Sequence, residues 1–390
     1  MLRRYLDPYI LEDLSEKMVF LSGPRQVGKT TLAQNLGKEY FPEHYEYLNW
    51  DYAQDRQALL ESRWQADKHF FILDEIHKYR YWKRWLKGEY DKHRSDFHFL
   101  VTGSARLDVY RKSGDSLLGR YRNYRLHPLS VTELLNPLLS ELVVQKPLLF
   151  LKPASSEFEA LLHFGGFPEV FLKQSEKDLR RWQMERTERL VKEDIRDIES
   201  IRDLSALQIL TALVAEKAGG LFSLNSIKED LQVAHKTAAS WVDVLERFYY
   251  HFRLYPYAAR TINSLRKEPK IYLWDWSSVK DEGARLENMV ASHLLKYCHW
   301  LIDAYGYAAN LHYLRDKEQR EVDFIVTIDK KPWFCVEVKS IYKEIPSALK
   351  YFARRLEIPY CYLVVAESGM DSMKENVRII SADKFLTALV

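Results

Sequence analysis

Eight residues near the amino terminus have the types and the spacing of a phosphate-binding loop. Residues 23–30 read GPRQVGKT, a complete G-x-x-x-x-G-K-[ST] pattern, and they follow the apolar run MVFLS and precede a helical segment. Glycines let backbone N–H groups close around phosphate oxygens, and the amino terminus of the next helix adds its positive dipole end. We therefore expect a nucleotide to contact this stretch and the residue after it: Gly23, Pro24, Arg25, Gln26, Val27, Gly28, Lys29, Thr30 and Thr31.

Two carboxylates further along the chain are candidates for binding Mg²⁺ and activating water beside this loop. The segment FFILDEIH is an apolar run ending in Asp74 and Glu75. We expect Lys29 to reach the terminal phosphates of ATP, while Thr30 and Asp74 hold Mg²⁺. Glu75 would then polarise the attacking water as a general base. By itself this acidic pair is typical of a solvated strand end, but after a full phosphate-binding loop it indicates ATP hydrolysis.

A third apolar run and a basic stretch follow. HFLVTGSARL predicts a strand that brings Ser104 to the γ-phosphate as a sensor, and we assign Ser104 a catalytic role. We expect an arginine that acts on a neighbouring subunit, and Arg120 is the chosen candidate, which implies a ring or other homo-oligomer. An ordinary solvated charge cluster is the alternative. The basic residues of this stretch are Arg106, Arg111, Lys112, Arg120, Arg122 and Arg125.

Five motifs in a fixed order carry a resemblance to a known family. GPRQVGKT, LDEIH, VTGSA, LLGRYR and LHPLSVTEL resemble bacterial and archaeal AAA-type ATPases that have a carboxyl-terminal domain of undefined function, and the resemblance covers almost the whole chain. It implies that Pro168, in the sequence GGFPEV, contacts the adenine ring, and that Arg4 and Tyr5 contact the base. A Gly-Gly-Phe-Pro turn also has a purely structural explanation.

A second group of acidic residues lies near the carboxyl terminus. Asp323 begins the run EVDFIV, and Glu337 and Lys339 are two apart in VEVKS, so both point to the same face of a strand. Glu287 lies on the preceding helical segment. This order resembles the PD-(D/E)XK nuclease core and implies a second Mg²⁺ held by Glu287, Asp323 and Glu337, with Lys339 orienting a water. A fold that has lost its chemistry, with these residues in a buried ion pair, is the alternative.

The periodicity of the chain predicts the elements that position these residues. Short β-rich runs alternate with helical segments in the first third, which favours an α/β domain with a P-loop AAA-like parallel sheet. We expect residues 1–150 to form this ATPase core, 151–203 a helical lid, 204–275 a winged helix, and 276–390 a restriction-endonuclease-like α/β domain. The second helix of the winged helix presents candidate DNA contacts at its start, which are His235, Lys236, Thr237 and Ser240.

Composition narrows the class of protein. Hydrophobic residues make up 47% and charged residues 29%, the net charge is only +3, and the three cysteines have no metal-ligand spacing. With no long apolar run and no secretory segment, we expect a cytoplasmic protein without a membrane partner. The predicted function is an ATPase that acts on DNA, with branched DNA as one candidate substrate. The alternatives are a nucleotide-controlled signalling or assembly switch, and an ATP-gated nuclease in defence.

Overall fold

The chain divides into two compact units. The computed structural model describes residues 2–103, 117–135, 144–195, 203–258 and 268–390. Met1–His127 form the first unit and Pro128–Val390 form the second. The predicted division into four domains stays a prediction.

A parallel sheet of five strands forms the centre of the first unit, in the order β2–β3–β4–β1–β5. Its strands are β1 (Met18–Ser22), β2 (Tyr45–Asn49), β3 (Phe70–Asp74), β4 (His98–Thr102) and β5 (Tyr121–Arg125). Its helices are α1 (Asp7–Leu14), α2 (Lys29–Tyr40), α3 (Ala53–Leu60) and α4 (Trp82–His93), with a 3₁₀ turn at Ile76–Lys78. The predicted α/β class with a parallel sheet is confirmed.

The burial of each strand explains whether it could be predicted from the sequence. Every residue of β1 and β3 is buried, as expected for strands covered by helices on both faces, and each reads as a continuous apolar run. Strand β5 has the sequence YRNYR and pairs with β1 alone, so it is an edge strand. Its charged residues fit an edge position, and the same charges hid this strand from sequence reasoning.

The first half of the second unit is helical. It contains α5 (Val131–Leu135), α6 (Ser155–Phe164), α7 (Pro168–Lys173), α8 (Glu176–Arg189), α9 (Leu204–Glu216), α10 (Leu224–Leu231) and α11 (His235–Arg247). A π-helical turn at Leu190–Ile195 continues α8. Two antiparallel strands follow, β6 (His251–Leu254) and β7 (Lys270–Leu273). Helices α9 and α11 and strand β7 share one apolar core that includes Leu207, Trp241 and Ile271.

A mixed sheet of six strands forms the second half of this unit, in the order β12–β13–β11–β10–β9–β8. The strands are β8 (Ala309–Arg315), β9 (Glu321–Ile328), β10 (Lys331–Lys339), β11 (Tyr360–Val365), β12 (Asp371–Lys374) and β13 (Val377–Ser381). Strands β8, β9 and β10 are antiparallel neighbours, whereas β11 runs parallel to β10. The helices are α12 (Glu282–Tyr305), α13 (Ser347–Arg355) and α14 (Ala382–Phe385), with 3₁₀ turns at Trp276–Ser278 and Leu386–Ala388.

The length and hydropathy of each helix determine whether it could span a membrane. Within the described ranges, no helix combines the length and the apolar character needed to cross a bilayer.

Candidate functional site

The loop between β1 and α2 depends on two glycines. Gly23 has φ +141°, and a Cβ atom there would lie 2.4 Å from the carbonyl oxygen of Leu126. Gly28 has φ +97° and is the residue that precedes α2. Both conformations disfavour any side chain, so glycine is required at each position. The loop therefore wraps tightly around the amino terminus of α2, where unpaired helix N–H groups attract anions.

Lys29 supplies the positive charge of this loop. Its side chain is buried, and its ammonium donates hydrogen bonds to the carbonyl oxygens of Gly23 (3.0 Å) and Pro24 (2.7 Å). The amine is thus held over the loop by the backbone itself. This places a cation where a nucleotide phosphate, bound at the start of α2, needs neutralisation.

Arg4 and Tyr5 hold the backbone around the loop. The buried guanidinium of Arg4 donates to the carbonyl oxygens of Val27 (2.9 Å) and His127 (2.6 Å). The hydroxyl of Tyr5 donates to the carbonyl oxygen of Arg125 at 2.7 Å. Arg4 therefore links the loop to the chain that follows β5, and Tyr5 bonds the last residue of β5. A contact of either residue with the base stays a prediction.

Asp74 is the centre of a hydroxyl network at the carboxyl end of the sheet. Its Oδ2 atom accepts hydrogen bonds from the hydroxyls of Thr30 (2.9 Å) and Tyr47 (2.8 Å), and its Oδ1 atom accepts one from Thr102 (2.6 Å). Burial and the bond to Asp74 raise the pKa of Tyr47, so its phenol remains a neutral donor. A carboxylate beside a threonine hydroxyl is the oxygen donor set that Mg²⁺ prefers, so these residues fit that ion.

Glu75 follows Asp74 in a strained backbone conformation. Its φ is +58°, in the left-handed region that non-glycine residues rarely adopt, and its N–H donates to the carbonyl oxygen of Thr102 at 3.0 Å. Its Oε2 atom lies 3.4 Å from the ammonium of Lys78 and 3.5 Å from Nε2 of His77. Strain of this kind persists only where the surroundings impose it, and it is frequent at active sites. The turn directs the Glu75 carboxylate away from the line of β3.

Two predicted catalytic residues of the first unit remain, Ser104 and Arg120. Ser104 lies outside the described residues. Arg120 makes a two-point ion pair with Asp91, at 2.7 and 3.0 Å, and its carbonyl oxygen accepts a bond from the N–H of Met18. Arg120 is therefore at the amino-terminal edge of the sheet, about 16 Å along a five-residue strand from the phosphate-binding loop. A role for Arg120 at the site of a neighbouring chain stays a prediction.

Pro168 lies in the second unit and begins α7, a position where its missing N–H costs nothing. The two glycines before it are forced by their surroundings. Gly165 has φ +76°, and a Cβ at Gly166 would lie 2.6 Å from the ring of Trp276. The Gly-Gly-Phe-Pro turn therefore has a full structural explanation, and an adenine contact by Pro168 stays a prediction.

The structure brings the four predicted residues of the carboxyl-terminal part together. Asp323 N–H donates to Glu337 Oε2 (3.3 Å), and Glu337 Oε1 pairs with the ammonium of Lys339 (2.8 Å). Glu287 joins them through a residue that the sequence did not single out. The ammonium of Lys270, on β7, lies 3.3 Å from an oxygen of each of Glu287 and Asp323. We call Glu287, Glu321, Asp323 and Glu337 the carboxylate cluster.

The carboxylate cluster is nearly enclosed, and burial alters its electrostatics. Burial, and then the charge of Asp323, raises the pKa of Glu287 to about 7 and that of Glu337 to about 7. Burial alone would lower the pKa of Lys270, but the three carboxylates beside it raise that pKa overall. Lys270 is thus a protonated ammonium with 3% of its surface exposed.

The second predicted Mg²⁺ does not fit this donor set. The oxygens that would hold the ion already accept bonds from Lys270, from Lys339 and from the backbone N–H of Val338, which lies 2.9 Å from Asp323 Oδ2. In the part of the chain that the structure describes, no group of three or more His, Cys, Asp or Glu side chains is arranged to hold a metal ion.

With this geometry established, comparison with known proteins is informative for the first unit. Residues 15–135 match the family model of the AAA domain. This match supports a P-loop ATPase for that part of the chain. Residues 155–279 and 282–385 match two domains of unknown function, DUF8612 and DUF4143.

Two relatives match over most of the chain. The uncharacterized protein MJ1637 of Methanocaldococcus jannaschii is 26% identical over 345 residues, covering 76% of this chain and 71% of that protein. The uncharacterized protein Rv2008c of Mycobacterium tuberculosis is 23% identical over 388 residues, covering 95% of this chain and 81% of that protein.

Two solved structures show a distant likeness. The RuvB Holliday junction branch migration motor of Thermotoga maritima matches with a TM-score of 0.32 and 16% identity, covering 64% of this chain and 87% of that one. The ORC1 protein of Aeropyrum pernix in complex with DNA matches with a TM-score of 0.33 and 13% identity, covering 73% and 90%. These scores are too low to transfer the function of either protein.

Several residues of these sites were not predicted from the sequence. In the AAA domain, Tyr47 bonds the predicted metal-binding carboxylate, and in the second unit Lys270, Tyr272 and Glu321 complete the carboxylate cluster. Single tyrosines and lysines have no spacing signature. The position of Tyr47 on β2, next to the strand that ends in Asp74, could have indicated that residue, whereas β7 pairs with β6 and gave no such signal for Lys270.

Proposed function

We propose that this protein is an ATP-hydrolysing AAA-type ATPase that acts on DNA. The observation that carries the ATPase is the direct hydrogen bond between the Thr30 hydroxyl and Asp74, which unites the loop and the strand predicted to share Mg²⁺. The match of residues 15–135 to the AAA domain supports the same activity.

The residues of this site divide the reaction among them. Lys29 binds the terminal phosphates, and Mg²⁺ held by Thr30 and Asp74 would offset the charge that develops on them. Tyr47 and Thr102 orient the Asp74 carboxylate through their hydroxyls. Glu75 orients and polarises the attacking water. Arg120 of a neighbouring chain would complete the site, and this part of the proposal requires a homo-oligomer.

The helices of the second unit support the DNA assignment. Helices α10 and α11 precede the antiparallel pair β6–β7, and we infer a winged helix from this order. His235, Lys236 and Ser240 are exposed at the start of α11, whereas Trp241 and Leu245 on the same helix are buried. The amino-terminal end of α11 is therefore accessible to a major groove, the part of such a helix that contacts base edges.

One helix and two strands near the carboxyl terminus carry the predicted acidic residues. A helix with Glu287, a strand with Asp323 and a strand with Glu337 and Lys339 meet in the order that the sequence predicted. We infer a restriction-endonuclease-like fold for this part of the chain. The fold does not require the chemistry to be present.

A nucleotide-controlled switch is the second candidate function. The net charge of +3 favours it, because a protein that grips DNA over a long surface is usually far more basic. In that case bound ATP or ADP sets the assembly state, and the carboxyl-terminal domain binds a partner.

ATP hydrolysis with and without DNA separates the two functions. We expect single-stranded, duplex or four-way-junction DNA to stimulate phosphate release by the wild type at about 100 mM salt, since phosphate contacts weaken steeply as salt rises. The Glu75→Gln variant should bind ATP and fail to hydrolyse it with any DNA. Hydrolysis that is indifferent to every DNA would reject the DNA-directed function and favour the switch.

A further inference from the structure

The buried lysine of the carboxylate cluster lies where a nuclease-like site would hold its metal ion. The ammonium of Lys270 is 2.8 Å from Glu321 and 3.3 Å from both Glu287 and Asp323. Three carboxylates from α12 and β9 thus converge on one cation. A divalent ion among the same oxygens would lie within about 4 Å of this ammonium and be repelled by it.

The position of Lys270 is fixed by its backbone as well as by its side chain. It pairs with Leu254 across the β6–β7 ladder, and it forms a bridge with Leu221 on its other side. Two residues along β7, the Tyr272 hydroxyl donates to Glu287 at 2.7 Å. Strand β7 therefore presents two donors to the carboxylate cluster from a rigid element.

The charges of the carboxylate cluster are already balanced by side chains. Lys270 faces three of the carboxylates, Lys339 pairs with Glu337, and Arg315 pairs with Glu321 at 2.6 Å. Three cations thus accompany four carboxylates. Burial favours a proton on the carboxylate charge that these cations do not balance. A divalent cation would bring excess positive charge into this enclosed site.

We propose that Lys270 takes the place of the divalent cation in the carboxylate cluster. The cluster then ties β7 to α12 and β9 as a permanent ion-pair junction, and it performs no metal-dependent cleavage of nucleic acid. This inference concerns the second unit alone and does not depend on ATP hydrolysis or DNA stimulation. On this proposal the protein is not an ATP-gated nuclease.

Manganese binding by the nucleotide-free protein tests the proposal directly. Mn²⁺ is titrated into the wild type and into Glu337→Gln, with free Mn²⁺ followed by electron paramagnetic resonance. We expect the two curves to coincide, because the wild-type carboxylate cluster takes up no metal. One Mn²⁺ per chain that is lost in Glu337→Gln, or Mg²⁺-dependent DNA cleavage lost in the same variant, would overturn the proposal.

Removing the lysine should create the metal site. Lys270→Met removes the cation that faces three carboxylates, and we expect Mn²⁺ affinity to rise by roughly tenfold or more over wild type, a gain of 1.4 kcal/mol per factor of ten. The gain should vanish in Lys270→Met combined with Asp323→Asn, because Asp323 is one of the carboxylates that Lys270 faces. Mn²⁺ should also raise the melting temperature of Lys270→Met and leave that of the wild type unchanged. A folded Lys270→Met that gains no affinity contradicts the proposal.

A matched lysine in the same cluster provides the control. The side chain of Lys339 is 48% exposed and pairs with Glu337 alone, so Lys339→Met removes the same charge without emptying the centre of the cluster. It should bind Mn²⁺ like the wild type. A gain equal to that of Lys270→Met would show that net charge, and not the position of Lys270, governs metal binding. If Lys270→Met does not fold, the comparison of wild type with Glu337→Gln still decides.

Discussion

Replacing Arg4 with alanine distinguishes a structural role from a nucleotide contact. The Arg4 guanidinium donates two charge-assisted hydrogen bonds, to the carbonyl oxygens of Val27 and His127, and only 7% of the residue is exposed. A bond from a charged donor contributes about 1.5–3 kcal/mol, so losing both should destabilise the first unit by about 3 kcal/mol once water rebinds the carbonyls. For a unit of this size that corresponds to a fall of roughly 10 °C in melting temperature.

The assay is thermal unfolding without nucleotide, with unfolding of the first unit followed by hydrogen–deuterium exchange of its peptides. Arg3→Ala is the matched control, because Arg3 is exposed and its pair with Glu39 lies on the surface. Such surface pairs contribute about 0–1 kcal/mol, so the control should shift little. ATP affinity is then measured for both variants. An Arg4→Ala protein that melts like Arg3→Ala without nucleotide, yet binds ATP more weakly, would refute the structural role and favour the predicted base contact.

Three further predictions follow from the sites. Tyr47→Phe removes one of three hydroxyl donors to Asp74 and should slow ATP hydrolysis about tenfold, because the free energy of one hydrogen bond to a charged group corresponds to about that factor in rate. An unchanged rate of phosphate release would contradict this positioning role. Gly23→Ala should abolish ATP binding, measured by isothermal titration calorimetry, because its Cβ would clash with Leu126, and undiminished affinity would show that the loop can relax. Because the folded pKa of Glu337 is raised to about 7, its proton stabilises the fold at low pH, and this contribution is lost as pH rises from about 4.5 to 7. Glu337→Gln should therefore flatten the pH dependence of the free energy of unfolding, measured in urea. An equal slope in both proteins would argue against this role of Glu337.

The sequence was sufficient to predict most of the AAA domain. Strands β1, β3 and β4 are apolar runs between turns and helices, and burial on both faces produces that pattern. The phosphate-binding loop was predicted because its geometry requires glycine at fixed spacing, here Gly23 and Gly28. Strand β5 was missed, since an edge strand can carry charge without losing its pairing.

Contacts between distant parts of the chain could not be predicted in the same way. Arg4 reaches a carbonyl 123 residues away at His127, and Lys270 reaches Asp323 across 53 residues. Periodicity reports which face of an element is buried, but it does not report which neighbour a buried charge will meet. The predicted E-x-K pattern located the carboxylate cluster, whereas the lysine at its centre belongs to a strand that the sequence assigned to another domain.

The position of Lys270 also bears on how this protein can be divided or recombined. Lys270 and Tyr272 lie in the segment that matches one family of unknown function, residues 155–279, and most of their carboxylate partners lie in the segment that matches the other, residues 282–385. A fragment beginning at residue 276 would retain all four acids together with Arg315 and Lys339, and would lose the central cation Lys270. We therefore expect a chimera that exchanges either segment with a relative to need a lysine at the matching position or fewer acids opposite it.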